Sequence, residues 1–179
     1  MYSNHLPIQT SSLFLRQFVP EDSDKIFIMS QESGIKEWIP DQVYKDEQTA
    51  LKVLNNLIAQ YNDPGNPLYA PYVLGICLEK TSELIGHVGL SPLNNQVEIG
   101  YAIENKFQGC GYASEAVTAM AEWGLQYFGL YKILGIVLKD NIASCKVLEN
   151  AGFKPLNETL GQMHGKHGIV KTYVRGKTS

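Results

Sequence analysis

The segment KFQGCGYASE, residues 106–115, constrains the fold most because it joins an apolar strand-like run to a long amphipathic helix. The run spans residues 97–103, and the helical pattern begins near Tyr112. Gly109 and Gly111 allow a sharp backbone turn, and the free amides at a helix N-terminus carry partial positive charge. Such a turn can bind an anion, most often a phosphate. Glycine pairs also occur in ordinary strand-to-helix turns that bind nothing, so the surrounding sequence must show whether this turn is an anion site.

The chain around this turn has a strand, helix, strand order. The helix pattern covers residues 112–128, and an apolar run at 131–138 predicts a buried strand. Two strands joined through a helix predict a parallel pair with a right-handed crossover. A short helix is then expected at about residues 142–150, with Asp140 or Asn141 as its N-cap.

The remaining elements contain no internal repeat and no linker. Strands are expected at residues 12–18, 72–79, 84–90, 97–104, 153–160 and 169–175, and helices after Pro20 and at 46–61. Residues 33–45 and 161–168 are expected to be irregular, and short polar links make the three central strands antiparallel. We therefore predict a single α+β domain over residues 1–179, with a mixed, mostly antiparallel sheet of about seven strands flanked by about four helices.

The composition is that of an ordinary globular protein, with 44% hydrophobic and 18% charged residues. A net charge of −3 argues against a general binder of nucleic acid or membrane surfaces. The three cysteines lack C-x-x-C spacing, so neither a disulfide framework nor a zinc site is expected. Residues 1–10 show no signal pattern, and no apolar run has the length that a bilayer requires. We expect a cytoplasmic protein without a metal.

The sequence does not match the common motifs for dinucleotide, nucleoside-triphosphate or metal binding. A dinucleotide-binding turn would need a third glycine where Ser114 stands. Residues 176–178, Gly-Lys-Thr, imitate the end of a phosphate-binding loop, but position 171 is a lysine where the leading glycine would be. His164 and His167 have no His-Glu-x-x-His pattern and no cysteine nearby, so we interpret them as polar loop residues.

Four motifs do occur in a consistent order around the turn. They are Glu98-Ile-Gly-Tyr101, Gln108-Gly-Cys-Gly-Tyr-Ala-Ser-Glu-Ala116, Asn141-x-x-Ser144 and Gly152-Phe153. Together they resemble the GNAT superfamily of acetyl-coenzyme A-dependent N-acetyltransferases. The most similar branch acetylates the N-terminal amines of ribosomal proteins, and the likeness extends from Leu13 to Arg175.

The resemblance implies a site for acetyl-coenzyme A (acetyl-CoA). Backbone amides of the turn would hold the pyrophosphate, the strand before the turn would separate from the next parallel strand and pair with the pantetheine arm, and the Asn-x-x-Ser motif would lie beside the thiol. The cofactor-binding residues implied are Tyr101, Ala102, Ile103, Gln108, Gly109, Cys110, Gly111, Tyr112, Ala113, Ser114, Asn141 and Ser144. Lys106, Lys139 and Lys146 could reach the outer phosphate, or they are solvated surface lysines.

Acetyl transfer to an amine needs a neutral amine, a thioester held close to it and a proton for the departing thiolate. A protein α-amino group has a pKa of about 7.7–8.0, so a weak base is sufficient, whereas a lysine side chain would need more help. Glu98 is the expected base because a partly buried carboxylate on this strand would have a raised pKa. A solvent-facing residue or an ion-pair partner is the alternative. Cys110 has no histidine close in sequence, which favours a spacer position over a covalent acyl-enzyme.

The thiolate also needs a proton donor. Many members of the family use a tyrosine shortly before the Gly-Phe pair, but residues 147–149 contain none. In the ribosomal branch a serine of the Asn-x-x-Ser motif is the proposed donor, which corresponds to Ser144; helix capping and catalysis by proximity alone are the alternatives. Trp38 and Tyr101 are expected to line the acceptor cleft, and Trp38 is alternatively a core residue.

We therefore predict an enzyme that transfers acetyl from acetyl-CoA directly to a primary amine in a ternary complex, preferentially a protein N-terminal α-amine such as that of a ribosomal protein. The alternatives are acetylation of a polyamine or aminoglycoside and a non-catalytic CoA-binding regulatory module. An acidic acceptor loop would favour the polyamine, and residues 32–48 carry five acids against two lysines. No direct nucleic-acid or membrane contact is expected, and the protein should be a monomer or homodimer.

Overall fold

The computed structural model describes residues 6–62 and 65–177, which form one sheet with helices on both faces. The strands are β1 (Ile8–Gln9), β2 (Leu13–Arg16), β3 (Tyr72–Leu78), β4 (Leu84–Leu93), β5 (Gln96–Ile103), β6 (Lys132–Leu138), β7 (Lys154–Met163) and β8 (Lys166–Gly176). The α-helices are α1 (Ser23–Ser30), α2 (Ser33–Trp38), α3 (Glu47–Ala59), α4 (Tyr112–Tyr127) and α5 (Ile142–Asn150). The mixed, mostly antiparallel architecture predicted from the sequence is confirmed.

The sheet order is β1-β2-β3-β4-β5-β6-β8-β7, and every neighbouring pair is antiparallel except β5 and β6. These two strands are joined through α4, as the strand, helix, strand pattern predicted. Within the described residues they are in register only where Glu98 lies opposite Leu134. They therefore diverge toward their carboxyl ends, and the later backbone groups of β5 are not used in a ladder with β6.

The position of α4 follows from its apolar stripe. The helix buries Ala116, Val117, Met120, Ala121, Gly124 and Leu125. All of these except Gly124 belong to the main core, together with Leu90, Ile99 and Ile133 of the sheet. Burial of one large apolar side chain contributes roughly 1.5–3 kcal/mol, so this layer holds α4 and the turn before it in place.

The opposite face of the sheet carries α1 and α3 over a smaller apolar cluster. Its buried members are Phe18, Leu54, Cys77 and Leu84. Asp46 is the N-cap of α3, because its carboxylate accepts a hydrogen bond from the Thr49 amide at 2.7 Å. The short helix α2 follows α1 directly and lies beside the carboxyl ends of β5 and β6, where these two strands diverge.

Three segments differ from the prediction. Residues 33–45, expected to be irregular, contain α2 and a 3-10 turn at Pro40–Gln42, and a helix of six residues is too short for its periodicity to be recognised. Residues 161–168 are mostly strand, and the chain reverses at His164-Gly165, with φ of 50° and 79°. The exposed β7 lacks the alternation that predicts a strand. With the two-residue β1 added, the described chain has eight strands and five α-helices.

Candidate active site

A cleft of about 1070 Å³ opens where β5 and β6 diverge. It is bounded by α2, the turn before α4, the start of α5 and the tip of the β7–β8 hairpin. The predicted site residues that line it are Trp38, Glu98, Tyr101, Ala102, Ile103, Gln108, Gly109, Gly111, Tyr112, Ala113, Ser114, Asn141 and Ser144. Cys110 is the exception, since it is exposed in the turn with its Sγ 3.8 Å from the carbonyl oxygen of Gln108.

The glycine turn leaves open space at the N-terminus of α4. Gly109 and Gly111 have φ of 78° and 82°, and Gly111 is the N-cap residue of the helix. No atom lies within 4 Å of the position that a Cβ would take at either glycine. The first amides of a helix have no partner within that helix, and their dipoles favour an anion. Open space beside such amides fits a phosphate group.

Hydrogen bonds hold this turn on both sides. The Gln108 side-chain amide donates to the carbonyl oxygen of Ile103 at 3.0 Å. The Asn105 backbone amide donates to the carboxylate of Glu32 at 2.9 Å, which connects the turn to the start of α2. Glu115, in the first turn of α4, accepts hydrogen bonds from the loop between β1 and β2. The turn is therefore preorganised by the protein itself.

The three lysines considered for an outer phosphate differ in position. Lys106 Nζ lies 2.9 Å from a carboxylate oxygen of Glu83, and Lys139 Nζ lies 3.0 Å from one of Glu158. Lys146, in α5, is the one of these three that lines the cleft. It is placed to meet an anionic group there, whereas the other two are in surface ion pairs.

Glu98 lies at the point where the two parallel strands begin to diverge. Its side chain is half-buried, and burial raises the pKa of its carboxyl group, an effect that the charge of His164 partly opposes. This is the direction expected for a carboxylate on this strand. Because side chains alternate along a strand, Glu98 projects from the opposite face of β5 to Tyr101.

Tyr101 and Ser144 meet on that other face, where α5 begins. The Tyr101 hydroxyl donates to the Ser144 carbonyl oxygen at 3.2 Å, and the Ser144 amide donates to Oδ1 of Asn141, also at 3.2 Å. Asn141 is thus the N-cap of α5. Both contacts use the backbone of Ser144, so neither engages its hydroxyl. Burial raises the pKa of Tyr101 to about 12, which keeps the phenol protonated.

The mouth of the cleft contains a contact between distant segments that sequence reasoning missed. His164 Nδ1 lies 2.8 Å from Oδ2 of Asp41, and Lys166 Nζ lies 4.3 Å from the ring centroid of Trp38 and 3.8 Å from Oε1 of Glu37. His164 lines the cleft and is not merely a polar loop residue. The sequence signal for this hairpin turn is the His164-Gly165 pair, because the tightest hairpin turns need two residues with positive φ.

Comparison with known proteins agrees with this geometry. The family model described as the acetyltransferase (GNAT) domain matches residues 12–154. The chain belongs to the GNAT acetyltransferase family. An uncharacterized N-acetyltransferase of Bacillus subtilis, YoaA, is 26% identical over 170 residues, which cover 93% of this chain and 87% of that protein.

Solved structures show the same GNAT fold. An acetyltransferase from Bacillus anthracis has a TM-score of 0.80 at 21% identity and covers 94% of this chain and 97% of its own. RimL, a ribosomal alpha-N-protein acetyltransferase in complex with coenzyme A, has a TM-score of 0.77 at 19% identity. The match covers 96% of this chain and 97% of RimL. At these identities the likeness concerns the fold alone.

As a GNAT N-acetyltransferase, the protein uses acetyl-CoA, and the open glycine turn suits the phosphates of that molecule. Among the described residues, no group of three or more His, Cys, Asp or Glu side chains could hold a metal ion. In the same part of the chain, no helix is both long and apolar enough to cross a bilayer.

Proposed function

We propose that this enzyme acetylates a protein N-terminal α-amine by direct transfer from acetyl-CoA in a ternary complex. The observation that carries the proposal is the placement of Glu98 and Ser144 on one cleft, on opposite faces of the diverging strands. A base on one face and a proton donor on the other suit an amine that approaches from the side of α2. Acetyl-CoA supplies the activated acetyl group when it is bound.

The cofactor half of the cleft consists mainly of backbone. Amides from Gln108 to Ser114 would hold the pyrophosphate, and the unpaired edge of β5 from Tyr101 to Ile103 would hydrogen-bond the pantetheine arm. Lys146 would meet an outer phosphate from α5. Backbone recognition needs few cationic side chains, in agreement with the net charge of −3.

Glu98 would act as the base for the acceptor. An α-amine with a pKa of about 7.7–8.0 is on the order of one tenth neutral at pH 7, so the base has only a modest task. Burial raises the pKa of the Glu98 carboxyl group, so Glu98 binds a proton more readily than an exposed carboxylate does. It is therefore a better base for the acceptor amine. Attack of the neutral amine forms the C–N bond and breaks the C–S bond. The nitrogen loses one further proton as the amide forms, and the Ser144 hydroxyl would give its proton to the leaving thiolate and regain one from this released proton.

The charge at the cleft mouth favours a peptide over a polyamine. Two of the five acids in residues 32–48 have partners on the β7–β8 hairpin. Glu37 lies close to Lys166, and Asp41 lies close to His164. This pairing reduces the negative field that a multiply charged polyamine would need. Several structural neighbours are themselves described as ribosomal-protein acetyltransferases, and an acceptor of that kind would place this enzyme in the cytoplasm.

The test is a thiol-release assay with acetyl-CoA and a panel of N-terminal peptides, polyamines and aminoglycosides. We expect turnover with peptides, and Glu98→Gln should lower kcat by about tenfold or more with near-normal CoA affinity, because about one tenth of the amine is already neutral at pH 7. Glu79→Gln is the matched control, since Glu79 is exposed beyond the end of β3. Turnover of polyamines alone would overturn the peptide proposal, and an unchanged kcat in Glu98→Gln would remove Glu98 as the base.

A further inference from the structure

Gly100 leaves an uncovered patch in the middle of β5, close to Glu98. It lies two positions after Glu98, and both residues line the cleft. Residues two positions apart in a strand project from the same face, so Gly100 shares the face of Glu98 and not that of Tyr101. Gly100 is exposed, whereas Ile99 and Ala102 are buried. The uncovered patch is therefore confined to the position of this glycine.

The backbone conformation at Gly100 does not require a glycine. Several described glycines have no atom of a non-adjacent residue within 4 Å of the position that a Cβ would take; they are Gly100, Gly109, Gly111, Gly129 and Gly165. All of them except Gly100 have positive φ, which favours glycine. A glycine in the interior of a strand weakens it, and it often marks a place where a ligand approaches the backbone closely. The open space, and not the conformation, is what a side chain at position 100 would remove.

Packing within the protein does not fill this space either. The partner of Gly100 on β4 is Gly89, where a Cβ would lie only 2.7 Å from Cγ2 of Val73. On the other side of β5, the strand β6 is in register only at Glu98 and diverges beyond it. Neighbouring side chains therefore cover the sheet at Gly89 but not at Gly100, and the gap opens into the cleft.

The position of the patch fits the acceptor better than the cofactor. Two residues of a strand span about 7 Å, so a group that lies against β5 and hydrogen-bonds the Glu98 carboxylate is next to Gly100. Ser91 lies opposite Glu98 on β4 and also lines the cleft, which adds a hydroxyl beside the carboxylate. Acetyl-CoA is expected on the edge of β5 and at the turn before α4, whereas the amine would approach on the face that Glu98 and Gly100 share.

We infer that Gly100 determines which amines react, because its missing side chain admits the carbon that bears the acceptor amine together with a substituent on that carbon. The inference rests on the proposed function, in which Glu98 is the base and the acceptor is a peptide N-terminus. Every N-terminal residue except glycine has a side chain on the α-carbon, whereas the amine of a linear polyamine is attached to a CH₂ group. A peptide therefore needs more room beside its amine than a polyamine does, and the space at Gly100 supplies it.

The experiment compares Gly100→Ala and Gly100→Val with the wild type on a peptide that begins with alanine and the same peptide beginning with glycine. We expect the ratio of kcat/KM for the alanine peptide to kcat/KM for the glycine peptide to fall by about tenfold or more in Gly100→Val, the effect of a methyl group in a closely fitting pocket. Gly100→Ala should lower this ratio less. A substitution that merely slowed the enzyme would reduce turnover of both peptides equally.

Gly176→Ala is the matched control. Gly176 is also a strand glycine without positive φ, and a Cβ there would be 3.5 Å from the carbonyl oxygen of Tyr131, an ordinary contact. It pairs with Lys132 at the start of β6, whereas the cleft opens toward the carboxyl end of that strand. The ratio for the two peptides should therefore stay at the wild-type value in Gly176→Ala.

Two measurements separate exclusion of the acceptor from damage to the fold or to the cofactor site. Valine suits a strand better than glycine, so the urea midpoint of Gly100→Val should not fall below that of the wild type. Isothermal titration should give the wild-type Kd for acetyl-CoA. Weaker binding of acetyl-CoA would assign the space to the cofactor, and a lower midpoint would assign it to the fold, and either result would overturn the inference.

The failure of the inference and that of the proposed function give different results. If the wild type acetylates both peptides and Gly100→Val leaves their ratio unchanged, Gly100 does not select the amine, and the proposed function is intact. If the wild type acetylates spermidine and neither peptide, the proposed function is wrong, and the assignment of Gly100 to a branched amine is wrong with it.

Discussion

Substitution of Gly111 by alanine tests whether the turn before α4 holds the cofactor through its backbone. Gly111 has φ of 82°, and no atom lies within 4 Å of the position of an added Cβ. Alanine therefore meets no steric obstacle, and its cost is that of the left-handed conformation, about 1–2 kcal/mol. Gly111→Ala should lower the free energy of unfolding by this amount if the turn keeps its shape.

A turn that changes shape to relieve this strain loses affinity for coenzyme A. Since each 1.4 kcal/mol corresponds to a tenfold change in Kd, the same 1–2 kcal/mol predicts binding that is about 5–30-fold weaker. Isothermal titration with coenzyme A and urea unfolding together determine how the cost divides between affinity and stability. Gly111→Asn should be milder in both assays, because asparagine adopts positive φ more readily than alanine.

Gly129→Ala is the matched control. Gly129 has φ of 65°, also without an atom within 4 Å of an added Cβ, and it follows the other end of α4. A helix of 16 residues separates the two glycines by about 24 Å. Gly129→Ala should lose stability without losing affinity for coenzyme A. Equal loss of affinity in both variants, or no change in either assay for Gly111→Ala, would refute the reasoning.

Two further predictions concern stability. Burial lowers the pKa of His87 to about 4, so the folded protein gives up a proton that the unfolded chain binds with the ordinary pKa of about 6.5. His87 thus destabilises the fold progressively as the pH falls from about 6.5 to 4, and His87→Gln should reduce this loss in urea unfolding at pH 5 relative to pH 7. Asp22 accepts two hydrogen bonds from the Arg16 guanidinium, at 2.7 and 2.8 Å, with its side chain 10% exposed. Asp22→Ala should cost about 3 kcal/mol of unfolding free energy by leaving the Arg16 guanidinium without its carboxylate partner, and a loss below about 1 kcal/mol would contradict this.

The glycine turn and α4, which would form the cofactor half of the site, could be predicted because their signals are local. Sixteen residues of helical periodicity define α4, and two glycines that need positive φ define the turn before it. Asn141 and the amide it caps are three positions apart, so the cap of α5 is also visible in the sequence. Phosphate recognition by main-chain amides adds few side-chain requirements, and the arrangement therefore follows from the turn itself.

The acceptor half could not be predicted to the same extent. The six-residue α2 is too short for a periodic pattern, and the exposed strand β7 has no apolar face to reveal it. Asp41 and His164 meet only because the hairpin extends to Met163 and reverses at Gly165. No local pattern encodes a contact between residues separated by most of the chain.

The cofactor side and the acceptor side of the cleft differ in what a substitution would change. With the cofactor held by backbone atoms, as proposed, the turn would tolerate many side chains provided that its two glycines remain. On the proposed acceptor side, Trp38 on α2 and His164 on the hairpin line the cleft from two surface segments in which substitutions disturb little of the core. A change at the hairpin tip alters the charge and shape of the acceptor mouth without moving the cofactor turn. The acceptor of this enzyme has therefore to be sought through α2 and the hairpin.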